Sequence, residues 1–548
     1  MNNSTTNMIN TTNIISNNVE TINNNLITIN YEQPNENDFI QTELLYKTIK
    51  DDFNLYESQE DTIKRQVVLS KLKSLIQNFV IQVGKSKGIP EEDCKPGGNI
   101  YSFGSYRLGV HGPGADIDVL CVAPDYVDRN KHFFNDLLNI FKSNTDITEI
   151  CDVQDAYVPV IKMKYSEIQI DLLFANLHFR QISESLDLKE NNILKNCDKE
   201  SILSLNGSRV TDQILTLVPN KENFILTLKS IKLWASSRGL YSNAFGYCGG
   251  VAYAILTAKI CQMFPNYKPN KLLYMFFTIY SEWDFSKNPI MLNEIIKDVG
   301  FKVDLDVFNL ETAKYNIAVI TPAFPAMNST HNVSETTKRV LINEFNFSKN
   351  LIDLINNQNK LPWKVLFTKF NIFEKYNAFL QIDILSSNEK DFKKWLGFVE
   401  SKLRLLIKFL EDIYQIRTHP YPDNFNITDS KYLYAKAFFF GIQFINPDSS
   451  IIKDELKKEQ YMKIFLREPI SKFCAKLNDP KIRNSNTMNM RIRDKRKNNI
   501  PKDVLREYSN VNFNKINNKS LFSSLSDYEI YKKLEGNYFK SVVDNSAL

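Results

Sequence analysis

The apolar run Val119-Leu120-Cys121-Val122-Ala123 is entered directly from Asp116-Ile117-Asp118. Such a run has the character of a buried strand. Residues two apart on a strand point the same way, so Asp116 and Asp118 share a face and Ile117 turns to the core. Two carboxylates this close repel each other unless a cation lies between them. Hard oxygen donors suit Mg2+ or Mn2+. Further on, Ile168-Gln169-Ile170-Asp171-Leu172 alternates like a half-buried strand and places Asp171 opposite Ile168, Ile170 and Leu172. If the two strands are neighbours, three carboxylates converge. Such a trio can hold two ions about 3.5–4 Å apart, the arrangement for in-line phosphoryl displacement. A lone Asp-x-Asp reads as a surface turn; the third Asp and a Gly-Ser turn upstream favour chemistry.

That turn lies in Phe103-Gly104-Ser105-Tyr106-Arg107-Leu108-Gly109. A Gly-Ser turn opening a helix offers backbone N–H groups and a hydroxyl to an anion. Ser105 is then placed to hold the β- and γ-phosphates of a triphosphate. Serine is equally a preferred helix cap, and an anion can share the same helix end.

The chain's 548 residues suggest three or four domains, and 43% hydrophobic content supplies a core. The net charge of +5 permits a nucleic-acid partner without requiring one. Seven scattered cysteines without a CxxC pair, and five histidines, argue against zinc or a disulfide framework and favour a reducing compartment. No apolar run is long enough for a membrane span, and the N-terminus lacks signal-peptide character.

Residues 1–36 are rich in Asn and Thr and read as a disordered tail. From Asp61 to Lys85, the positions Ile63, Val67, Leu72, Leu75, Ile76, Phe79, Val80 and Val83 predict an amphipathic helix. Short strands follow to about residue 180, then a mostly helical region over 190–360. Strand candidates at Phe379–Leu385 and Ala437–Ile445, with helices from Phe392 to Leu410 and Leu456 to Leu477, predict a split βαβ sandwich.

The order Gly104-Ser105, Asp116-x-Asp118 and a distant Asp171 resembles the signature of polymerase-β-like nucleotidyltransferases. FGSYRLGVHGPGADIDVLCVAP (103–124) is similar to the catalytic segment of eukaryotic nuclear poly(A) polymerases. So are LNGSRVTDQI (205–214), IKLWASSRGLYSNAFGYCGGVAYAILTAKICQMFP (231–265), SEWDF (281–285), ITPAFPAMNSTHNVSETTKRV (320–340) and WLGFVESKLRLLI (395–407). The resemblance runs from about residue 40 to about 515, in the family's order. It implies an α/β (α+β) protein with a nucleotidyltransferase palm built on a mixed sheet, a helical middle domain and an RRM-like α/β sandwich at the C-terminal end. The divisions expected are a 1–36 tail, 37–190 N-terminal helices and palm, 191–360 middle domain, 361–515 RNA-binding domain and 516–548 C-terminal tail.

The resemblance also implies polynucleotide adenylyltransferase activity: AMP from ATP added to a pre-mRNA 3′ end without a template, in the nucleus, with two Mg2+ or Mn2+ ions. Asp116, Asp118 and Asp171 match the metal ligands. Phe103, Gly104 and Ser105 match the nucleotide turn, with Gly112, Ala115 and Ile117 near it. Lys232 and Tyr241 match contacts to triphosphate or base, Asn206 and Asn243 further nucleotide contacts, and Gly250 and Val251 the pair packing on the adenosine. Tyr157 and Lys162 match positions near the RNA end. A monomer working with cleavage and polyadenylation subunits is expected, with no membrane partner.

Departures from the family pattern exist. Gly112 replaces a larger polar residue of some members. Phe438-Phe439-Phe440-Gly441 is not an RNA-stacking motif, and those rings are expected in the core. The Ser/Thr-rich regulatory tail of animal enzymes is not expected here. Arg491, Arg493, Lys495, Arg496 and Lys497 form a basic cluster that fits a localisation signal, an RNA-backbone patch or a solvated strand. Rival readings are a uridylyl- or CCA-adding enzyme and a catalytically inactive RNA-binding scaffold. A DNA polymerase-β relative is disfavoured by the lack of helix-hairpin-helix segments.

Overall fold

The computed structural model describes residues 19–22, 27–303, 305, 307–445, 455–506 and 528–536. Within the stretch that composition reads as a disordered tail, residues 19–22 and 27–36 are described. Strands β1 (Val19–Ile22) and β2 (Ile27–Asn30) pair antiparallel, and β2 packs against the helix Gly250–Met263. Asn35 then caps α1 (Glu36–Lys47) in a reciprocal box with Asp38. Support for the described strands and for α1 comes from a distant helix and from a cap. Residues 1–18 and 23–26 lie outside the described residues.

Helix α2 (Gln59–Ser86) begins at a Ser58 cap. Its buried stripe is Arg65, Val68, Leu72, Ile76, Phe79, Val80 and Val83. Ile63 and Val67 fall off that stripe and are about half exposed. The inward position of the first turns is taken by Arg65, which pairs with Glu57.

The stripe covers one face of a five-stranded sheet of order β3-β4-β7-β6-β5. Its strands are β3 (Asn99–Phe103), β4 (Ile117–Pro124), β5 (Ile147–Val153), β6 (Val160–Tyr165) and β7 (Ile168–Leu177). Only β4 and β7 run parallel, so the sheet is mixed. Strand β4 lies inside the sheet between β3 and β7 and is buried on both faces, as its unbroken apolar run requires. Val119 and Cys121 meet α2, while Leu120 and Val122 meet Ile202 and Leu205 of α3 (Lys199–Leu217).

Four more helices form the middle of the chain: α4 (Lys221–Ser237), α5 (Gly250–Met263), α6 (Pro269–Glu282) and α7 (Glu335–Ile352). The region 190–360 is mostly helical as expected, and its described residues between 283 and 334 form an irregular stretch within it. Pro289, Pro322 and Pro325 remove backbone donors there. Thr330 and Asn328 side chains bond the backbone of Val319 and Ile317 instead.

The last folded region runs β8 (Ala378–Ser386), α8 (Glu389–Glu411), β9 (Ile416–Asn426), β10 (Tyr434–Phe444), α9 (Glu455–Lys476), β11 (Met488–Arg496). Its antiparallel sheet has the order β11-β8-β10-β9, the split βαβ arrangement. Phe438, Phe439 and Phe440 are fully buried. The basic cluster begins on the edge strand β11. Arg491 pairs with Asp429 and Asp383, and Arg493 with Asp383, whose side chain is fully buried. Those two arginines thus neutralise a carboxylate that would otherwise stand charged in the core. No helix among the described residues is long and apolar enough to cross a membrane.

Candidate active site

Register alone aligns four site residues. Phe103 pairs with Asp118, Asp118 with Asp171, and Asp171 with Lys162, so one row crosses β3, β4, β7 and β6. Paired residues in a sheet project to the same face. Asp116 precedes β4 by one residue and joins them: an oxygen from each of Asp116, Asp118 and Asp171 lies within 4.8 Å of the other two. Asp116 is exposed, and Asp118 and Asp171 are half-buried.

The charge balance of this cluster is negative. Burial pushes the Asp118 carboxyl up to about 6, and Asp116 and Asp171 push the same way against Lys162 and Lys232. Lys162 pairs directly with Asp171. Lys232, on α4, is held below the usual lysine range by burial, while Asp116 and Asp118 pull it up. Its Nζ donates to the Val110 carbonyl at 3.2 Å. The donor set is all oxygen, and burial with two neighbouring carboxylates outweighs the two lysines at Asp118, so the site fits a hard divalent cation.

The Gly-Ser turn abuts this cluster. Gly104 has φ +63°, and a Cβ there would collide with the Asp118 carboxylate, so glycine is required twice over. Gly104–Arg107 is a single helical turn capped by Phe103 without a side-chain bond. Ser105 is therefore not its cap, and its hydroxyl has no partner among the described residues. Helix α3 supports the turn from the other side. A Cβ on Gly207 would come within 2.8 Å of the Phe103 ring. Thr211 Oγ accepts from the Gly104 N–H at 3.3 Å. Thr211 was not read from the sequence as a site residue, although it lies one helical turn beyond Gly207 on the same face. Asn206 donates to Met327 Sδ at 3.2 Å, and its Oδ1 is buried with no partner among the described residues.

Tyr241 faces the carboxylates from the middle helices. Burial raises its hydroxyl pKa, and Asp116 and Asp118 add to the rise. Its ring stacks on Tyr253 with centroids 5.8 Å apart. Gly250 opens α5 beside it, where a Cβ would sit 2.7 Å from the Tyr241 hydroxyl. Val251, next in the helix, is 42% exposed. Asn243 is exposed, and its carbonyl and Oδ1 accept from Asn332 Nδ2 at 3.4 and 3.3 Å. Ala115 N–H bonds the Gly112 carbonyl at 3.2 Å, closing the loop before Asp116. A Cβ on Gly112 would meet nothing within 4 Å, so the missing side chain leaves open space. Tyr157, between β5 and β6, is 71% exposed, and no described contact joins it to the carboxylates.

Comparison with known proteins gives this arrangement a family. Residues 27–218 match the poly(A) polymerase nucleotidyltransferase domain, 223–369 the poly(A) polymerase central domain, and 371–432 the poly(A) polymerase predicted RNA binding domain. A poly(A) polymerase of Dictyostelium discoideum is 44% identical over 420 residues, 75% of this chain and 51% of that protein. Nuclear poly(A) polymerase 1 of Arabidopsis thaliana is 40% identical over 412 residues, 75% of this chain and 57% of that protein. The chain thus spans about half the length of these curated relatives. A solved structure of Cid1, described for its RNA terminal uridylyl transferase activity, aligns with 61% of this chain and 99% of its own, at 15% identity and TM-score 0.43. A likeness of that degree has no bearing on this chain's substrate. Three domain matches in sequence order cover most of the molecule, and the chain belongs to the poly(A) polymerase family.

Proposed function

We propose that this chain is a polynucleotide adenylyltransferase, adding AMP from ATP to an RNA 3′ end without a template and releasing pyrophosphate. The convergence of Asp116, Asp118 and Asp171 carries the reading. These three would hold two ions, Mg2+ or Mn2+, which when bound activate the attacking hydroxyl and stabilise the leaving pyrophosphate. In the reaction the RNA 3′ oxygen attacks the α-phosphorus, the bond to the β-phosphate oxygen breaks, and the hydroxyl proton passes to Asp171.

The chain's other groups bind and orient. Lys232 sets a compact positive charge against the triphosphate. Ser105 brings an unpartnered hydroxyl to the same phosphates, and the Gly104 turn a close backbone. Asn206 Oδ1, buried without a donor, takes one from the nucleotide. Tyr241, Gly250 and Val251 form a wall with one aromatic plane and little side chain, against which the adenosine packs. Phe103, Gly112, Ala115, Ile117 and Asn243 line the remaining approach. Tyr157 and Lys162 are assigned to the RNA end: Lys162 by its place on the carboxylate row, Tyr157 by its exposed ring. The C-terminal sheet, with Phe438, Phe439 and Phe440 buried in its core, serves RNA through phosphate contacts. Domains at 37–190, 191–360 and 361–515 are proposed to divide these tasks. Action in the nucleus is inferred, since three Arabidopsis relatives are named nuclear poly(A) polymerases. A monomer recruited by cleavage and polyadenylation subunits completes the reading.

Incubating the pure protein with a short RNA primer, Mg2+ and each nucleoside triphosphate separately tests it. Extension with ATP alone is the expected outcome; a clear preference for UTP would overturn the assignment. Lys232→Ala should cost about 1.5–3 kcal/mol, roughly 10- to 150-fold in kcat/KM for ATP, as one charged contact is lost. Steady-state rates over a range of ATP read this, and unchanged constants count against the phosphate role.

A further inference from the structure

A buried polar cluster grips the loop ahead of Asp116. Lys229 lies on α4 one turn before Lys232 and is only 6% exposed. Its Nζ donates to the backbone carbonyl of His111 at 2.8 Å and of Leu55 at 3.0 Å. It also sits 4.6 Å from the centre of the Tyr56 ring. Lys232 holds the neighbouring carbonyl, that of Val110. From the opposite side, Glu57 Oε2 meets His111 Nε2 at 3.3 Å and pairs with Arg65, with both Glu57 and Arg65 side chains buried. Two segments remote in sequence, α4 and Leu55–Glu57, therefore close on the Val110–His111 stretch.

Placing a lysine amine out of water costs several kcal/mol unless hydrogen bonds replace the solvent. Burial pushes Lys229 down to about 8, Lys232 pushes the same way, and Glu57 opposes them. A methionine would fill this volume without that cost. What the amine provides, and methionine cannot, is two donors aimed at two separate backbone segments.

We propose that Lys229 is a positioning residue for the nucleotide. It pins the Val110–Ala115 loop and the Leu55–Glu57 segment against α4, so that Lys232 and the loop's Asp116 end are set before ATP arrives. Lys229 does not touch the reacting atoms; it acts through Val110, His111 and Lys232. The N-terminal segment around Glu57 is thereby part of the nucleotide site, though it precedes the Gly-Ser turn by some forty-odd residues. The inference rests on the adenylyltransferase reading. Since the loop and Lys232 grip the triphosphate in ground state and transition state alike, its loss falls on KM.

The test is initial-rate kinetics of the full chain against ATP, with fixed RNA primer and saturating Mg2+. Lys229→Met is expected to raise KM for ATP about tenfold with kcat within about threefold. Lys229→Arg, which keeps donors for both carbonyls, should restore KM to within about threefold. A merely structural role would lower the amount of active enzyme, hence kcat, and leave KM alone. A Lys229→Met protein with wild-type KM overturns the inference. Should that variant fail to fold, Tyr56→Leu removes only the ring face under the amine and must still raise KM about threefold; an unchanged KM there overturns it equally. A wild type that incorporates no nucleotide removes the adenylyltransferase reading and this inference together. An active wild type matched by Lys229→Met removes this inference alone.

Discussion

Replacing Asp171 with alanine leaves a folded protein whose nucleotide addition falls on the order of 10⁴-fold, equivalent to about 5 kcal/mol of transition-state stabilisation. The residue sits mid-strand on β7, paired in register with Asp118 on one side and Lys162 on the other. Alanine keeps the strand but removes one wall of the carboxylate cluster. The fold gains rather than loses. With no divalent ion bound, Asp118 titrates at about 6 instead of its ordinary 3.8. That gap is worth about 3 kcal/mol. A carboxyl whose folded pKa is raised has no effect on stability below 3.8. Its penalty grows as pH rises to about 6 and persists above it. Removing Asp171 relieves part of that penalty, so in EDTA at pH 7.5 the variant should melt above the wild type. Adding Mg2+ should raise the melting temperature of the wild type and much less that of the variant. Calorimetry and primer extension on the same preparations check both halves. An Asp171→Ala protein that extends RNA at a wild-type rate removes the metal assignment.

The carboxylates were legible because strand periodicity is local. Alternation around Asp171 and the apolar run after Asp118 fix which way each side chain points. What alternation cannot supply is adjacency. That β4 and β7 are parallel neighbours in register depends on the crossover between them, which no short window of sequence encodes. The same limit hid Lys229 and Arg65. A basic residue in an amphipathic helix reads as solvated, and only the partner segments, Leu55–Glu57 and Val110–His111, show that these two are buried. Ile63 and Val67 were misplaced for the mirror reason: helical spacing admitted them, but the core claimed the stripe containing Arg65 instead. In the C-terminal sandwich, β8 and β10 announced themselves through apolar runs. Strands β9 and β11 carry His419, Pro420, Asp423 and five Lys or Arg residues. Their strand identity comes from pairing with those central neighbours rather than from their own composition. Within the mostly helical middle region, prolines and side-chain-to-backbone bonds hold the described residues of 283–334 on an irregular path that helical periodicity elsewhere in the region does not announce.

Glu344→Gln should cost 3–5 kcal/mol of stability, roughly the loss seen when one partner of a buried ion pair is removed. Arg238 closes α4, and Glu344 lies on α7; their side chains are 1% and 2% exposed and meet at 2.8 Å. Burial works against the Arg238 charge, and Glu344, with Tyr531 and Glu535, more than offsets it, so the guanidinium pKa is raised overall. Other contacts extend from it. Arg238 Nη1 donates to the Thr368 carbonyl and to the Tyr531 hydroxyl, both at 3.3 Å. Its guanidinium lies about 5 Å from the Phe347 and Phe370 rings. Tyr531, nearly fully buried, comes from the helical residues 528–536. The pair therefore ties the middle helices to the connection into the C-terminal sandwich and to that returning segment. Glutamine keeps the shape at Glu344 and leaves the arginine charge in a dry site without its counter-charge, which is the expensive arrangement. The double variant Arg238→Met/Glu344→Leu removes both charges and should recover most of the loss, because apolar contact with Phe347 and Phe370 takes the place of the ion pair. Urea unfolding of the wild type, Arg238→Met, Glu344→Leu and the double variant yields the coupling energy. If the two single losses simply add in the double variant, the charges act independently and the Arg238–Glu344 pair is not the tie between these regions.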